Sequence, residues 1–454
     1  MKRRSSKDRA RAQRIAPRRV ARTVQAPVRA SQVRTAPRFQ TPQVARPTVS
    51  HAPLGITGFV LLMAGLMAMN ATAIDIMLPA MPMIGAELGV ANPNDVQLII
   101  TAYLAGFGLG QFVMGALSDR FGRRPVLLTG LVAYGIGGLL CTMAPEFGVL
   151  LAARAVQGIG AAAPRIIVTA VVRDCYTGAQ MARVTSYAMM AFMAAPVFAP
   201  SIGQGILMVA DSWRMVFVFL AGYAAVLLVA CALLLPETLQ PAWRRSLGVG
   251  ALVQSAAMVV RSRQTVGYAL ASGLFFGALF GFIASAQPIL ADLYGLGPWF
   301  PVVFGAVAFF IAVAAFINAL LVGRFGMRAM AHGAVILFTT VSLVLAAMAS
   351  QGPVPLPVFL GSIATAMMLV GLVFSNFNAL AMEPQGAAAG IASSLIGGVT
   401  TLIGASCGYV IGQAYDGTVL PLATGYAASG VATLTVLLIT ERGRLFGGWR
   451  TGGV

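Results

Sequence analysis

Twelve runs of about 20 mostly apolar residues follow one another from Leu54 onward, separated by short polar loops. About 20 such residues are needed for a helix to cross the hydrocarbon core of a bilayer. In lipid every backbone group must be bonded within the protein, so each run is predicted to be a helix. The predicted spans are residues 56–80, 96–118, 125–144, 148–172, 182–208, 213–236, 265–290, 297–322, 330–350, 354–380, 387–414 and 420–440.

The composition excludes a soluble fold. Charged residues make up 10% of the chain and apolar residues 58%, whereas soluble domains average about 25% charged residues. The chain is therefore predicted to be an integral membrane protein.

Arginines in the loops fall almost entirely on one side of the predicted bundle. The other side carries the acids, with Arg214 as its only base: Glu87, Asp95, Glu146, Asp211, Asp292 and Asp416. Because basic loops stay in the cytoplasm, the arginine-rich side is predicted to be cytoplasmic. We expect a multi-pass protein of the cell inner (plasma) membrane with both termini in the cytoplasm.

The first fifty residues carry 14 of the 31 Lys and Arg residues and one acid, Asp8. Five prolines argue against the amphipathic helix of a transit peptide, and the stretch is too long for a cleavable signal. Residues 1–53 are predicted to be a basic, disordered cytoplasmic tail. Adsorption to anionic lipid stays open, whereas the lone aromatic Phe39 gives no stacking platform for nucleic acid.

A ten-residue stretch after the second span recurs after the eighth. Residues 117–126 and 321–330 share Leu, Arg, Phe, Gly and Arg at matching positions. A repeat at about half the chain length is typical of secondary transporters built from two like halves. The predicted fold class is all-α, with twelve transmembrane helices in two pseudo-symmetric six-helix halves. The halves are residues 54–236 and 265–440, with a cytoplasmic linker at 237–264 and a C-terminal tail at 441–454.

The first copy of this loop packs one acid and three bases into a tight turn. Glycine permits such a turn, and a carboxylate there can meet the positive end of a helix. The residues of this loop are Gly115, Asp119, Arg120, Gly122, Arg123 and Arg124. In the second copy Gly323 stands where Asp119 would map.

This loop resembles the signature of the major facilitator superfamily, and the resemblance implies that it is a gating loop. Because Gly323 replaces the acid in the second copy, a gate built on Asp119 exists in one half only. Four further stretches resemble its twelve-span drug:proton antiporters, in particular the Bcr/CflA branch of bicyclomycin and chloramphenicol exporters: residues 75–82, 154–163, 195–203 and 389–394. The resemblance covers residues 54–440 and implies the two-half fold and alternating access. It also implies that Asp119 holds one gate state by meeting the start of the eleventh helix near residues 386–390.

Three charges lie well inside the predicted spans: Asp75, Arg154 and Arg165. Each costs about 2.5–3.5 kcal/mol at mid-bilayer, so such residues rarely face lipid. Asp75 and Arg154 lie at similar depths from the same side, and we expect them to meet. The resemblance implies that this pair couples transport to protons; a fixed structural ion pair is the alternative.

Arg165 follows Arg154 by eleven residues, which places both on one helix face about 16 Å apart. We therefore expect Arg165 to shape substrate binding. The predicted substrate cavity comprises Gln157, Arg165, Tyr103, Gln111, Asn376 and Asn378. In the fifth span the positions that match the antiporter helix of the family are Ala195, Ala199, Pro200 and Gly203, where small residues are kept although Gln204 departs from the pattern.

The remaining motifs do not indicate catalysis. The four cysteines lack metal-ligand spacing, and the Gly-x-Gly runs at 106–108 and 158–160 follow no strand, which excludes a dinucleotide fingerprint. We predict no metal, no cofactor and no enzyme activity.

The predicted function is that of a proton-coupled secondary transporter, which exports small amphipathic compounds by alternating access. A metabolite facilitator or a proton symporter of the same fold stays open as the alternative. The predicted partners are a small-molecule substrate, protons and the lipid bilayer, with no nucleic acid, and we expect a monomer.

Overall fold

The computed structural model describes residues 54–244, 256–257 and 259–447. Within this part of the chain twelve helices are long and apolar enough to cross a membrane, and no residue is in a β-strand. The all-α membrane fold and the count of spans are thus confirmed. We number these helices α1 (Ile56–Asp75), α2 (Leu98–Phe121), α3 (Arg123–Thr142), α4 (Phe147–Cys175), α5 (Gly178–Ala210), α6 (Arg214–Leu234), α7 (Arg263–Gln287), α8 (Phe300–Phe325), α9 (Met327–Ala349), α10 (Leu356–Met382), α11 (Ala389–Gln413) and α12 (Leu420–Thr440).

The first span breaks earlier than predicted. α1 ends at Asp75 rather than at residue 80, because Pro79 has no N–H to donate to the carbonyl of Asp75. Shorter helices lie in this connection and in three others of the described chain: the 3₁₀ turns Leu78–Ala80, Pro93–Gln97, Pro241–Trp243, Gly297–Trp299 and Glu383–Ala388, the α-helix Met81–Glu87 and the π-helix Pro288–Leu293.

Helix contacts repeat with an offset of six helices. In the first six helices α1 packs on α5, α2 packs on α4, and α3 packs on both α4 and α6. The corresponding pairs of the last six helices, in the same order, are α7–α11, α8–α10, α9–α10 and α9–α12. Two further contacts, α2 with α11 and α5 with α8, join the first six helices to the last six. The chain boundaries of the two halves stay a prediction.

Glycine stripes bring several helices into close approach. In α7, Gly273, Gly277 and Gly281 form one stripe, and in α11, Gly404, Gly408 and Gly412 form another. A Cβ added at Gly273 would lie 2.7 Å from Cβ of Ile403, and one at Gly408 would lie 2.6 Å from Cβ of Phe280. Small residues allow backbones to approach in this way within a membrane, where packing rather than hydrophobicity drives association.

Some predicted segments lie outside the described residues. These are the basic tail 1–53, residues 245–255 and 258 of the predicted linker, and residues 448–454 of the C-terminal tail.

Candidate functional site

A cavity of about 260 Å³ lies between the first six helices and the last six. Its described lining comes from α1, α2, α4 and α5 on one side and from α7, α8, α10 and α11 on the other. Its size is near the lower end of ordinary small-molecule pockets, about 300 Å³. Seven phenylalanines belong to its described apolar wall: Phe107, Phe192, Phe276, Phe280, Phe282, Phe304 and Phe374.

Two charged residues line this cavity, Asp75 and Arg165. Asp75 is 2% exposed, and its buried Oδ1 has no hydrogen-bond partner among the described residues. The guanidinium of Arg165 lies 5.6 Å from the centre of the Phe192 ring. Among the described residues neither of the two charges forms an ion pair. The cavity therefore contains one acid and one base that are separate from each other.

The predicted direct pair of Asp75 with Arg154 is absent from the contacts of the described residues. Arg154 is fully buried, and its Nη2 donates to the carbonyl of Ala73 at 3.1 Å. Its Nε donates to the carbonyl of Ile99 at 3.3 Å, and its Nη1 donates to Oε1 of Gln157 at 2.6 Å. The prediction was wrong because Arg154 reaches the backbone two residues before the carboxylate, whereas Asp75 lines the cavity.

Aromatic faces complete the surroundings of Arg154. The ring centres of Tyr103 and Phe217 lie 4.4 Å and 5.8 Å from its guanidinium carbon. Carbonyl oxygens and ring faces both attract a cation, so this buried charge is compensated without a carboxylate. Its bonds join α1, α2 and α4 at one level of the bundle.

Gln111 and Asn378 line the cavity, as their sequence positions predicted. Nε2 of Gln111 donates to the hydroxyl of Thr401 at 2.9 Å, which links α2 to α11 across the cavity wall. The sequence pattern gave no reason to select Thr401, because its partner lies on another helix.

Three residues assigned to the cavity lie outside its described lining: Tyr103, Gln157 and Asn376. The hydroxyl of Tyr103 donates to Oδ1 of Asn70 at 2.8 Å, and only Asn70 reaches the cavity. Gln157 is buried against the arginine described above. Asn376 donates to Oδ1 of Asn318 at 2.6 Å. Tyr103 and Asn376 were misplaced because a neighbouring helix supplies their partners, and Gln157 because its partner Arg154 lies on its own helix.

The antiporter-helix residues of α5 pack against the break in α1. Ala199, Pro200 and Gly203 are buried, and Ala195 is half-buried. A Cβ added at Gly203 would collide with the carbonyl of Ile76, the residue after Asp75. α5 therefore supports the backbone that positions the buried carboxylate.

The gating loop lies between α2 and α3, at what we call the basic end of the bundle. Gly122 has a φ of 109°, a region that glycine adopts without strain. Nη1 of Arg123 pairs with Oδ1 of Asp119 at 2.5 Å. Oδ2 of Asp119 faces Gly390 of α11, 3.5 Å from where a Cβ would stand. Of the predicted stretch 386–390, the structure describes side-chain surroundings for Gly390 alone.

The other bases of this loop have separate surroundings. Arg120 is exposed, with its guanidinium carbon 5.4 Å from the centre of the Phe121 ring. Nη2 of Arg124 donates to the carbonyl of Ala232 on α6 at 2.5 Å. Gly115 packs against Ser394, a further contact between α2 and α11.

Sequence analysis missed the acids that hold this loop. Oδ2 of Asp174 pairs with Nε of Arg123 at 3.2 Å. Oε1 of Glu237 accepts from the backbone N–H of Arg123 at 2.9 Å, and its Oε2 accepts from that of Arg124 at 3.2 Å. Glu237 thus caps the N-terminus of α3, where a negative charge is favourable.

The second loop copy has a related cluster. Nε of Arg328 pairs with Oε1 of Glu441 at 3.1 Å, and its Nη2 with Oε2 of Glu383 at 3.4 Å. Glu237 and Glu441 are 204 residues apart, the same separation as residues 117 and 321 at the start of the two loop copies. This equal spacing is a sequence signal that would have identified both acids as partners of the loops. Burial alone would raise the pKa of Glu441, but hydrogen bonds from Tyr268 and Arg328 outweigh it and hold that pKa below its usual value.

At the opposite, acidic end, hydrogen bonds join the first six helices to the last six. Nδ2 of Asn94 donates to the carbonyls of Gln413 and Tyr415 at 3.1 and 2.8 Å. Nε2 of Gln413 donates back to the carbonyl of Asn94 at 2.9 Å. Contacts between the two sets of helices therefore lie on both sides of the cavity.

Comparisons with known proteins agree with this geometry. A model of the Major Facilitator Superfamily matches residues 61–409. The uncharacterized MFS-type transporter YdgK of Bacillus subtilis is 33% identical over 75% of this chain and 84% of its own. A bicyclomycin resistance protein homolog of Haemophilus influenzae is 28% identical over 85% of this chain and 96% of its own. A solved structure of the xylose transporter XylE of E. coli, in a partially occluded inward-open conformation, matches this chain with a TM-score of 0.65. The match covers 85% of this chain and 97% of XylE. Because the two sequences are 13% identical, this similarity shows the fold alone.

Proposed function

The chain belongs to the major facilitator superfamily of multi-pass membrane transporters of small molecules, and on this basis we propose that it is a proton-coupled exporter of small amphipathic compounds. The aromatic cavity between the two sets of helices is the observation that carries the proposal. The name of the Haemophilus relative points to drugs such as bicyclomycin as substrates.

Contacts on both sides of the cavity support transport by alternating access. The contact of Asp119 with Gly390 lies at the basic end, and the hydrogen bonds between Asn94 and Gln413 lie at the acidic end. When the two sets of helices rock, one group of contacts opens while the other stays closed. A substrate in the cavity is then exposed to one side of the membrane at a time.

Asp75 is the proposed proton carrier. It lines the cavity, is almost fully buried and has an Oδ1 without a partner. An ionised carboxylate without a partner is costly to bury, so protonation lets the cavity close around Asp75. Arg154 holds the carbonyl of Ala73, two residues away. This bond lies within the first six helices and fixes the backbone two residues before the carboxylate.

Orientation and location are part of the proposal. The basic end faces the cytoplasm, since arginines of the loops cluster there. Both termini then lie in the cytoplasm, and the protein resides in the inner (plasma) membrane as a monomer.

Transport into inverted membrane vesicles tests proton coupling. With an acidic vesicle interior, we expect wild type to accumulate radiolabelled bicyclomycin and Asp75→Asn to lose that accumulation. Asp75→Asn should still bind bicyclomycin in detergent and exchange it downhill. Asp211→Asn removes an exposed acid of the same chemistry and is the matched control.

Each contrary outcome has a distinct meaning. Proton-driven accumulation by Asp75→Asn would rule out Asp75 as the carrier. Movement of substrate and protons in the same direction would favour a symporter, and wild-type transport that ignores the pH gradient would favour a facilitator.

A further inference from the structure

The two charges of the cavity lie at different depths. Arg154 bonds the carbonyl of Ala73, which places it level with the end of α1 and with Asp75. Arg165 follows Arg154 on α4 by eleven residues, or roughly 16 Å along the helix at 1.5 Å per residue. Arg165 therefore lies toward the basic end of the cavity, and Asp75 lies toward the acidic end.

In the described part of the chain, Arg165 lacks the carboxylate or carbonyl partners that other buried or half-buried arginines have. Arg123 and Arg328 each pair with carboxylates in the described part of the chain, and Arg154 is surrounded by hydrogen-bond acceptors. The described neighbour of the Arg165 guanidinium is the ring of Phe192. A cavity-facing cation without a counter-ion is a ready site for an anionic group of a ligand.

The surroundings of Arg165 fit a planar acid. Gln111 and Asn378 supply amide groups to the same cavity. Phe276, Phe280 and Phe374 supply apolar ring faces, and Phe276 and Phe374 pack with ring centres 4.9 Å apart. A guanidinium matches a carboxylate through two parallel hydrogen bonds, which an ammonium ion cannot copy.

We propose that this cavity selects aromatic organic anions, whose acidic group binds Arg165 while the ring packs among the phenylalanines. The inference rests on the proposed function, because it concerns the same cavity. Arg165 lies toward the basic end of the cavity and Asp75 toward the acidic end, so the acidic group of the ligand points toward the basic end.

Binding of matched probes to the purified full-length protein tests this assignment. The probes are naphthalene-2-carboxylate, naphthalene-2-carboxamide and naphthalen-2-ylmethylammonium, which share one ring system and differ in charge. By isothermal titration at pH 7, we expect wild type to bind the carboxylate at least tenfold more tightly than the amide. The ammonium probe should bind more weakly than the carboxylate.

Variants of one residue separate charge from geometry. Arg165→Gln should reduce carboxylate affinity at least tenfold and leave amide affinity within twofold. Arg165→Lys should retain part of the preference, because the charge stays while the planar fork is lost. Arg183→Gln is the matched control: Arg183 is exposed on α5 and bonds the hydroxyl of Tyr187.

Equal wild-type affinities, tighter binding of the ammonium probe, or an unchanged preference in a folded Arg165→Gln would each overturn the proposal. If Arg165→Gln does not fold, the relative affinities of wild type for the three probes and the carboxylate preference of Arg165→Lys still test the proposal. Because probe binding is measured without transport, the anion-site proposal and the exporter proposal can each be refuted independently of the other. Carboxylate preference without proton-driven transport would refute only the exporter, and bicyclomycin transport without that preference would refute only the anion site.

Discussion

The contact between Asp119 and α11 predicts how one substitution shifts the conformational equilibrium. Asp119→Asn keeps the shape of the side chain and removes its charge from the first turn of α11, where Gly390 lies. The Asp119 side chain is 23% exposed, so solvent screens this interaction only in part. We expect the state that is open at the basic end to become more populated.

The magnitude follows from the position of the carboxylate. A negative charge at a helix N-terminus contributes about 0.3–1 kcal/mol when exposed and up to about 2 kcal/mol when partly buried. With about 1–2 kcal/mol lost, the ratio of the two states changes by a factor of about 5–30. The pair with Arg123 lies within the first six helices, so its loss acts on both states and cancels in this ratio.

Electron spin–spin distance measurements would report this shift. Labels at Gln180 and Gly323 monitor the basic end, and labels at Glu146 and Gln351 monitor the acidic end; all four positions are exposed. In Asp119→Asn we expect longer distances at the basic end and shorter distances at the acidic end.

Asp174→Asn provides the control. Asp174 also pairs with Arg123, but it lies on α4 and is not among the described residues that line the small cleft between Asp119 and Gly390. Unchanged distance distributions in a folded Asp119→Asn would refute the reasoning. The same shift in Asp174→Asn would show that the internal network, rather than the helix contact, sets the equilibrium.

Three further substitutions test other parts of the structure. Asn94→Ala removes two hydrogen bonds worth about 1 kcal/mol each, so the same distance measurements should show the acidic end opening, and unchanged distances would contradict this. Gly158→Ala would collide with the carbonyl of Tyr103 and should lower the thermal unfolding temperature, whereas Gly222→Ala, with open space around it, should not. Because the pKa of Glu441 is lowered in the folded state, its ionised form stabilises the protein above pH 4.5. This stabilisation is lost as the pH falls through the lower pKa of the folded state. Glu441→Gln should therefore abolish that part of the pH dependence of the thermal unfolding temperature.

Several features of this protein follow from sequence alone because they depend on local rules. The twelve helices follow from the length of the apolar runs, since a backbone in lipid must bond within its own segment. The tight turn at Gly122 follows from the repeated loop sequence, because its positive φ is a backbone conformation that glycine adopts without strain. The bond between Arg154 and Gln157 follows from a spacing of three residues on one helix face.

Partners across helices were decided by the tertiary structure. Helical periodicity fixes which residues share a face, but it does not fix how each helix is rotated against its neighbours. Arg154 therefore bonds the carbonyl of Ala73 instead of the carboxylate of Asp75. Asn376 donates a hydrogen bond to Asn318 and does not belong to the described lining of the cavity. Glu237 caps α3 although more than a hundred residues separate them, because close packing of the helices, and not distance along the chain, selects which polar groups meet.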